Sequence, residues 1–234
     1  MSIPSSQRIG ILMSGGLDSA VLLVRFLKRG AWVIPFYLRC GLQWEDAEVY
    51  WLRRLLHTVR SPQLAPLQVV PLSLVGVYGT HWSVRGARVP SAHSDDRAVY
   101  LPGRNVLLFG ATAIRCAEQR ISTIAIGTLR GNPFGDATPR FFLQLSRCLT
   151  QALRSPIRVV APLRRLTKRE LIHRARGVPF ALTFSCLQPR GHQHCGRCNK
   201  CAERTRAFYA AGIQDPTLYA NQPPMRARLV TTSR

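Results

Sequence analysis

A glycine-rich hexapeptide near the start of the chain has the composition of a phosphate-binding loop. The hexapeptide, SGGLDS, begins at Ser14, follows a short apolar run and precedes a segment with helical spacing. Main-chain amides at the start of a helix bind anions, and Gly15 and Gly16 let the main chain approach phosphate oxygens. The Ser14 and Ser19 hydroxyls can donate hydrogen bonds, and the Asp18 carboxylate can hold Mg²⁺ or orient the loop. The simpler alternative is a turn in which these polar side chains only cap the helix.

Four cysteines in sixteen residues, with the spacing C-x8-C-x2-C-x2-C, have the pattern of a metal site. They are Cys186, Cys195, Cys198 and Cys201. Four thiolates on a short loop form a closed tetrahedral zinc site, which is typically structural rather than catalytic. A ligand set that includes His192 or His194, or an iron–sulfur cluster, are the alternatives. The odd total of seven cysteines favours a metal site in a reducing compartment over a disulfide framework.

Four further residues stand where they could contact a ligand. Arg104 and Asn105, in the sequence PGRN, precede a helical segment, and an arginine there suits a nucleotide or a carboxylate. The alternative for PGRN is an ordinary helix entry with Asn105 as the cap. Lys168 can neutralise a phosphate or remain a solvated surface lysine. Cys40 follows the second predicted strand, so it is either a sulfur carrier at the site or a packed thiol.

The elements that must position these residues alternate between strands and helices. We expect strands at residues 8–13, 32–38, 67–72, 123–127 and 157–160, and helices at 20–27, 45–58, 106–118, 140–153 and 167–176. The last helix starts with a capping box, Thr167 and Glu170. This alternation predicts an α/β fold with a doubly wound parallel sheet, whose ligands gather at the carboxyl ends of the strands. Residues 73–100 lack periodicity, which predicts a substrate-side loop.

The domain organisation follows from these segments. We expect an α/β domain with the phosphate-binding loop at residues 1–176, a small zinc-binding helical subdomain at 177–212 and an extended tail at 213–234. No apolar run approaches the roughly 18 residues of a membrane span, and the first ten residues lack the pattern of a secretory signal. We therefore expect a cytoplasmic protein without a membrane partner.

The charge of the chain indicates anionic ligands without identifying them. The formal net charge is +22 in 234 residues, and only Lys28, Lys168 and Lys200 among the 33 basic residues are lysines. The arginines are spread along the whole chain instead of being gathered in a tail. A nucleic-acid surface, phosphate handling and a biased composition all fit this distribution. Nucleic acid is thus an allowed partner but not a required one.

The motifs together resemble one known family. SGGLDS resembles the PP-loop signature of the N-type ATP pyrophosphatases, which hold the pyrophosphate of ATP while its α-phosphate is transferred to a substrate oxygen. PGRN, TKRE and CGRCNKCAERTRAF follow in the order and rough spacing of the 7-cyano-7-deazaguanine synthase (QueC or ExsB) family. The resemblance runs from Arg8 to about Phe208, which is nearly the whole chain.

This resemblance implies a fold, a reaction and a set of site residues. The implied fold is adenine nucleotide alpha-hydrolase-like, and the implied cofactors are ATP, Mg²⁺ and one structural Zn²⁺. Members of the family activate the carboxylate of 7-carboxy-7-deazaguanine with ATP, form the amide with ammonia, and dehydrate it to the nitrile in queuosine and deazapurine biosynthesis. A homodimer is compatible with this interpretation. The implied catalytic residues are Ser14, Asp18, Ser19, Arg104 and Lys168. The implied nucleotide-binding residues are Met13, Ser14, Gly15, Gly16, Leu17, Asp18 and Ser19, and the implied zinc ligands are Cys186, Cys195, Cys198 and Cys201.

One segment departs from the family pattern and keeps other hypotheses open. Where the family has an acidic stretch resembling DYSGYPDCRPEF, this chain reads TLRGNPFGDATPRFF at residues 128–142. The alternatives are an adenylating enzyme of the same fold that acts on a tRNA base, a protein or another small carboxylate, and a paralogue that stops at the amide. A non-enzymatic zinc-knuckle protein that binds nucleic acid is the third interpretation, and it predicts salt-sensitive binding without ATP turnover.

Overall fold

A five-stranded parallel sheet forms the centre of the protein. We describe it from a computed structural model, which covers residues 7–224. The strands are β1 (Arg8–Leu12), β2 (Trp32–Arg39), β3 (Gln68–Pro71), β4 (Thr123–Ala125) and β5 (Arg158–Val160). Their order across the sheet is β3-β2-β1-β4-β5, and every neighbouring pair is parallel. The predicted doubly wound α/β fold is confirmed, and each strand lies within two residues of its predicted position.

Eight α-helices connect and flank the strands in the described part of the chain. They are α1 (Leu17–Leu27), α2 (Glu45–Thr58), α3 (Val75–Tyr78), α4 (Trp82–Arg85), α5 (Arg104–Glu118), α6 (Pro139–Leu153), α7 (Lys168–Arg174) and α8 (Asn199–Ala211). The capping box at the start of α7 is confirmed. The expected start of α1 at Ala20 was wrong, because the helix begins three residues earlier, inside the glycine-rich loop. No described helix has both the length and the apolar character needed to cross a membrane.

Hydrophobic side chains cover both faces of the sheet. Along β2, Val33 packs with the core that contains α1 and α7, whereas Ile34 and Phe36 pack with the core that contains α5 and α6. Strands alternate the direction of their side chains, so two helical layers are needed to bury both faces. The interior of β1 is buried on both faces for this reason.

The strand order places a crevice between β1 and β4. The chain moves outward from β1 to β3 and then returns to add β4 and β5 on the other side. In doubly wound sheets, ligands bind at such a switch point, beyond the carboxyl ends of the strands. The glycine-rich loop follows β1, and Gly127 follows β4 at the same edge. The fold therefore brings both turns to the expected ligand-binding position.

Two segments are more ordered or more packed than the sequence patterns indicated. Residues 73–100, expected to be a loop, contain the short helices α3 and α4 and a 3₁₀ turn at Asp96–Val99. Residues 213–224 contain no helix, but the main-chain nitrogen of Ala220 donates to His194 O at 2.8 Å. This part of the tail thus packs on the cysteine-containing loop. Residues 1–6 of the predicted first domain and 225–234 of the predicted tail lie outside the described residues, and the three-part domain division stays a prediction.

Candidate active site

The glycine-rich loop is held from two sides. Gly15 has a φ of 76°, and a Cβ at this position would lie 3.3 Å from Leu52 Cβ of α2, so a side chain there would meet both strain and crowding. On the opposite side, Phe184 N donates to Gly15 O at 2.8 Å. The Ser19 hydroxyl donates to Gly16 O at 3.1 Å inside the loop. The exposed Ser14 hydroxyl has two long contacts in the described part of the chain, a bond of 3.3 Å from Gly16 N and a distance of 3.5 Å to the Ser19 hydroxyl, so it can still bind a ligand.

A close backbone contact joins the ends of β1 and β4. A Cβ at Gly127 would lie 2.8 Å from the main-chain carbon of Asp18, closer than real Cβ contacts allow. Only glycine therefore lets the end of β4 approach the first turn of α1. This contact holds the turns after β1 and β4 against each other at the switch point.

Lys168 connects the loop to α8. Its Nζ lies 2.8 Å from both carboxylate oxygens of Asp18 and 3.3 Å from Glu203 Oε1. Lys200 Nζ contacts the other oxygen of Glu203 at 2.6 Å. Burial lowers the pKa of Lys168, but the two carboxylates outweigh it and hold this pKa above its usual value. Burial raises the pKa of Glu203, but the two lysines bring it well below its usual range. The four side chains thus form a charged network beside the loop.

Two cavities meet at the loop. The sheet cavity, of about 280 Å³, lies beyond the ends of β1, β2 and β4 and has apolar walls that include Phe36 and Leu108. The cysteine-side cavity, of about 210 Å³, lies between the loop, the segment that contains Phe184, and α8. Four residues line both cavities: Ser14, Asp18, Glu48 and Arg104. The two cavities are therefore continuous at a polar, charged wall beside the loop.

Arg104 and Glu48 place opposite charges at the junction of the two cavities. Arg104 is the first residue of α5, and its Nε is buried without a hydrogen-bond partner in the described part of the chain. A buried guanidinium nitrogen without a partner is well placed to receive an anionic ligand. Glu48, in the first turn of α2, is 8% exposed and accepts a 2.8 Å hydrogen bond from Tyr37 Oη.

The segment that departs from the family pattern forms one wall of the sheet cavity. Asn105 N donates to Asp136 Oδ2 at 3.1 Å, and Asn105 Nδ2 donates to Asp136 O at 2.8 Å. Tyr100 and Phe134 stack on the same side, with ring centroids 4.9 Å apart. Asn105 therefore fastens this segment to α5, and the alternative that it caps the helix was wrong, because the cap position is Gly103.

The four predicted metal ligands converge on one point. The sulfur atoms of Cys186, Cys195, Cys198 and Cys201 all lie within 4.8 Å of one another, and all four residues are buried. Main-chain nitrogens surround them, as where Cys195 N donates to Cys186 Sγ at 3.3 Å. Amide donors of this kind stabilise thiolates. This cluster is a metal-binding site.

Neither nearby histidine points to the cysteine cluster. His194 Nε2 accepts a hydrogen bond from Ser185 N at 3.1 Å, and the His192 ring stacks on Tyr50 with centroids 3.9 Å apart. The two rings instead join the cysteine loop to the rest of the protein. Cys40 is also no part of the site, because it is fully buried and burial raises the pKa of its thiol to about 11.

The structure brings the predicted site residues together and adds others that the motifs did not reveal. Ser14, Asp18, Arg104 and Lys168 line the cavities, and Ser19 also lines the sheet cavity, although its hydroxyl donates to Gly16 O within the loop. The additional residues are Tyr37, Glu48, Asp136, Lys200 and Glu203. Glu48 shares a helix face with Leu52 and Leu55, and a carboxylate in that position is a sequence signal of a buried functional group. Glu203 lies three residues after Lys200, the spacing of a helical ion pair.

Comparison with known proteins identifies the family. A family model described as queuosine biosynthesis protein QueC matches residues 8–212. The chain belongs to the QueC family. The match extends from β1 to the end of α8, so it includes the glycine-rich loop, both cavities and the four cysteines.

Individual relatives of the QueC family match over almost their whole length. The 7-cyano-7-deazaguanine synthase of Thiobacillus denitrificans is 33% identical, over 90% of this chain and 97% of that protein. The 7-cyano-7-deazaguanine synthase of Anaeromyxobacter sp. strain Fw109-5 is 30% identical, over 93% of this chain and 98% of that protein. The matched region thus covers at least 90% of this chain and of each of these two relatives.

Two more distant solved structures share the fold. One is a 4-thiouridine synthetase in complex with RNA and ATP, at a TM-score of 0.51 and 16% identity over 88% of this chain and 50% of that one. The other is described as a predicted subunit of tRNA methyltransferase from Methanocaldococcus jannaschii, at a TM-score of 0.50 and 16% identity over 92% of this chain and 93% of that one. These similarities concern the architecture alone.

Proposed function

We propose that this chain is a 7-cyano-7-deazaguanine synthase, an ATP-dependent ligase that converts 7-carboxy-7-deazaguanine and ammonia into 7-cyano-7-deazaguanine (preQ0). Membership of the QueC family and the full-length relatives of that name support this activity. The observation that carries the proposal is the glycine-rich loop at the junction of two cavities, with Ser14, Asp18 and Arg104 on the shared wall.

The chemistry needs an activated carboxyl group. A carboxylate does not react with ammonia, because an oxide or hydroxide is a poor leaving group. Attack of a carboxylate oxygen on the α-phosphorus of ATP releases pyrophosphate and leaves an acyl adenylate. Ammonia then displaces AMP to give the amide, and a second activation with ATP followed by loss of AMP gives the nitrile.

The charges of the site suit ATP in the cysteine-side cavity and the carboxylate substrate in the sheet cavity. Lys168 and Lys200 lie in the cysteine-side cavity, where they can neutralise the β- and γ-phosphates above the loop. The sheet cavity has room and apolar walls for a planar ring. Arg104, at the junction, can receive the α-phosphate or the carboxylate, because its Nε has no partner among the described residues.

Two metal ions belong to the proposal. Asp18 has the carboxylate that would hold Mg²⁺ beside the phosphates, and such an ion neutralises negative charge on the transferring phosphorus. Zn²⁺ is the ion proposed for the cysteine cluster. Three of its Sγ–Sγ distances are 3.5, 3.9 and 4.0 Å, close to the roughly 3.8 Å edge of a tetrahedron with Zn–S bonds of about 2.3 Å. Four thiolates leave no open position, so this ion would be structural.

Unpaired thiols outside the cluster fit a reducing cytoplasm, which is part of the proposal. The homodimer and the nucleic-acid partner stay predictions.

The test is turnover of the metal-loaded protein with ATP, Mg²⁺, ammonium and 7-carboxy-7-deazaguanine, followed by mass spectrometry of the nucleotide and the deazapurine. We expect the nitrile together with AMP and pyrophosphate. Amide alone would show a paralogue that stops halfway. Absence of any product, with intact ATP, would contradict the proposal and favour another acceptor.

A further inference from the structure

Glu48 is a buried carboxylate with one oxygen committed and one directed to the cavities. Its Oε2 accepts the hydrogen bond from Tyr37 Oη at 2.8 Å. Its Oε1 makes no hydrogen bond in the described part of the chain and is not among the enclosed polar atoms there, so it is open to the cavities that the side chain lines. A carboxylate that is largely buried but keeps one oxygen open to a ligand-binding cavity is placed to contact a ligand or to exchange a proton with it.

Glu45, one turn earlier on α2, shows what a structural carboxylate looks like here. Its two oxygens accept hydrogen bonds from the main-chain nitrogens of Cys40 at 2.6 Å and Gly41 at 2.9 Å. Glu45 is buried, but it lines neither of the two cavities. Glu45 therefore stabilises the turn after β2. The Glu48 carboxylate accepts no main-chain hydrogen bond in the described part of the chain.

We propose that Glu48 is the group that accepts the proton from the nitrogen nucleophile when ammonia attacks the activated carboxyl carbon. This inference rests on the proposed function. In the step, the C–N bond forms, the bond between the acyl carbon and the AMP oxygen breaks, and AMP leaves with the electron pair. The nitrogen loses one proton, which passes to the Glu48 carboxylate and from there to solvent. A positioned general base of this kind contributes about 100- to 10,000-fold to a rate.

The surroundings of Glu48 suit a group that exchanges protons near neutral pH. Burial raises the pKa of Glu48 to about 8, although Arg104 and the hydrogen bond from Tyr37 act in the opposite direction, and Glu45 raises it further. The other charged groups around the two cavities are Asp18, Asp136, Lys168, Lys200, Glu203 and Arg204. The carboxylate form is therefore present in growing amounts as the pH rises towards 8.

The test separates adenylation from attack by nitrogen. Exchange of labelled pyrophosphate into ATP, driven by 7-carboxy-7-deazaguanine without ammonia, reports the first step and involves no nitrogen proton. We expect Glu48→Gln to keep this exchange while amide formation falls at least about 100-fold, and Glu48→Asp to recover part of the loss. Glu45→Gln is the matched control, since any loss there comes from the fold and affects both steps together with the melting temperature.

A second measurement uses the pH profile. Tyr37→Phe removes a hydrogen bond that lowers the pKa of Glu48, so the midpoint for amide formation moves to higher pH while the exchange profile stays in place. Rates are compared at equal concentrations of uncharged ammonia. Wild-type amide formation in Glu48→Gln, or equal loss of exchange and amide formation in it, would overturn the inference. Wild-type protein that fails to exchange pyrophosphate with this carboxylate would overturn the proposed function and the inference with it.

Discussion

The amine of Lys168 contacts both carboxylate oxygens of Asp18 at 2.8 Å, although 150 residues separate the two in the chain. The contact joins the start of α7 to the first turn of α1. The same amine reaches Glu203 on α8. One lysine thus aligns the glycine-rich loop with the helix that carries the last metal ligand.

Replacement of Lys168 should weaken the use of ATP. We expect Lys168→Ala to lower kcat/KM for ATP by about 10- to 100-fold, the effect of a lost hydrogen bond to a charged group. Steady-state pyrophosphate release measures it. Lys28→Ala is the control, because Lys28 donates to Arg176 O at an exposed position away from the cavities. Equal kinetics of the two variants would contradict a role for Lys168 at the phosphates.

A side chain at Gly127 should disturb the loop. The Cβ of Gly127→Ala would press on the main chain of Asp18, so we expect the unfolding free energy to fall by about 1–3 kcal/mol and ATP affinity to fall with it. Urea unfolding and nucleotide titration measure the two effects. Gly110→Ala is the matched control: position 110 is in the helix α5 with no atom near the new methyl group, so this change should leave stability unchanged or raise it. Unchanged ATP binding in Gly127→Ala would show that the contact does not shape the loop.

Loss of the metal should loosen a wall of the sheet cavity as well as the cysteine loop. Asn199 N donates to Pro90 O at 2.9 Å, and Ala92 N donates to Arg197 O at 2.8 Å, so the segment before Tyr100 is fastened to the cluster. We expect Cys198→Ala to lose the metal, to melt at a lower temperature and to exchange amide hydrogens faster at residues 90–101.

The control for the metal site is Cys148→Ala, which removes an exposed thiol far from the cluster in the chain. Metal analysis, calorimetry and hydrogen exchange are compared in both variants. A Cys198→Ala protein with one equivalent of metal and an unchanged melting temperature would show that the ligand set is wrong.

Acid should weaken the network around Glu203. Burial raises its pKa, but Lys168 and Lys200 lower it further, so the folded-state pKa lies below the unfolded value near 4.5. Its contribution to stability is therefore present above about pH 4.5 and is lost as the pH falls below it. We expect the free energy of unfolding, measured with urea, to fall less on acidification in Glu203→Gln than in the wild type. An identical pH dependence of the unfolding free energy in the two proteins would mean that the ion pairs of Glu203 contribute nothing to stability.

Local patterns in the sequence were sufficient to predict the strands, the helices and the cysteine cluster. The strands of β1 and β2 appear as apolar runs, the capping box marks the start of α7, and the cysteine spacing indicates the metal site. Each signal lies within a few residues, because hydrogen bonding, side-chain periodicity and chelation by a short loop are short-range in the chain. The family motifs belong to the same class of evidence.

The chemistry of the shared wall depended on contacts that are distant in sequence. The first turn of α2 contains Glu45, Asp46 and Glu48, and all three are equally ordinary at a helix start. Packing against β2 gives Glu45 two main-chain partners, leaves Asp46 exposed, and buries Glu48 beside Tyr37. Likewise, the position of the segment with Asp136 at the cavity depends on its two hydrogen bonds from Asn105, which is distant in sequence.

The sequence by itself therefore determined the elements, the glycine-rich loop and the group of four cysteines, because these follow from neighbouring residues. Only the tertiary structure decided which charged groups are paired and which face a cavity. The sequence left two interpretations of Lys168, a residue that neutralises a phosphate or a solvated surface lysine. The fold places its amine against Asp18. Desolvation and Coulomb energy depend on distances between elements, and no local pattern encodes those distances.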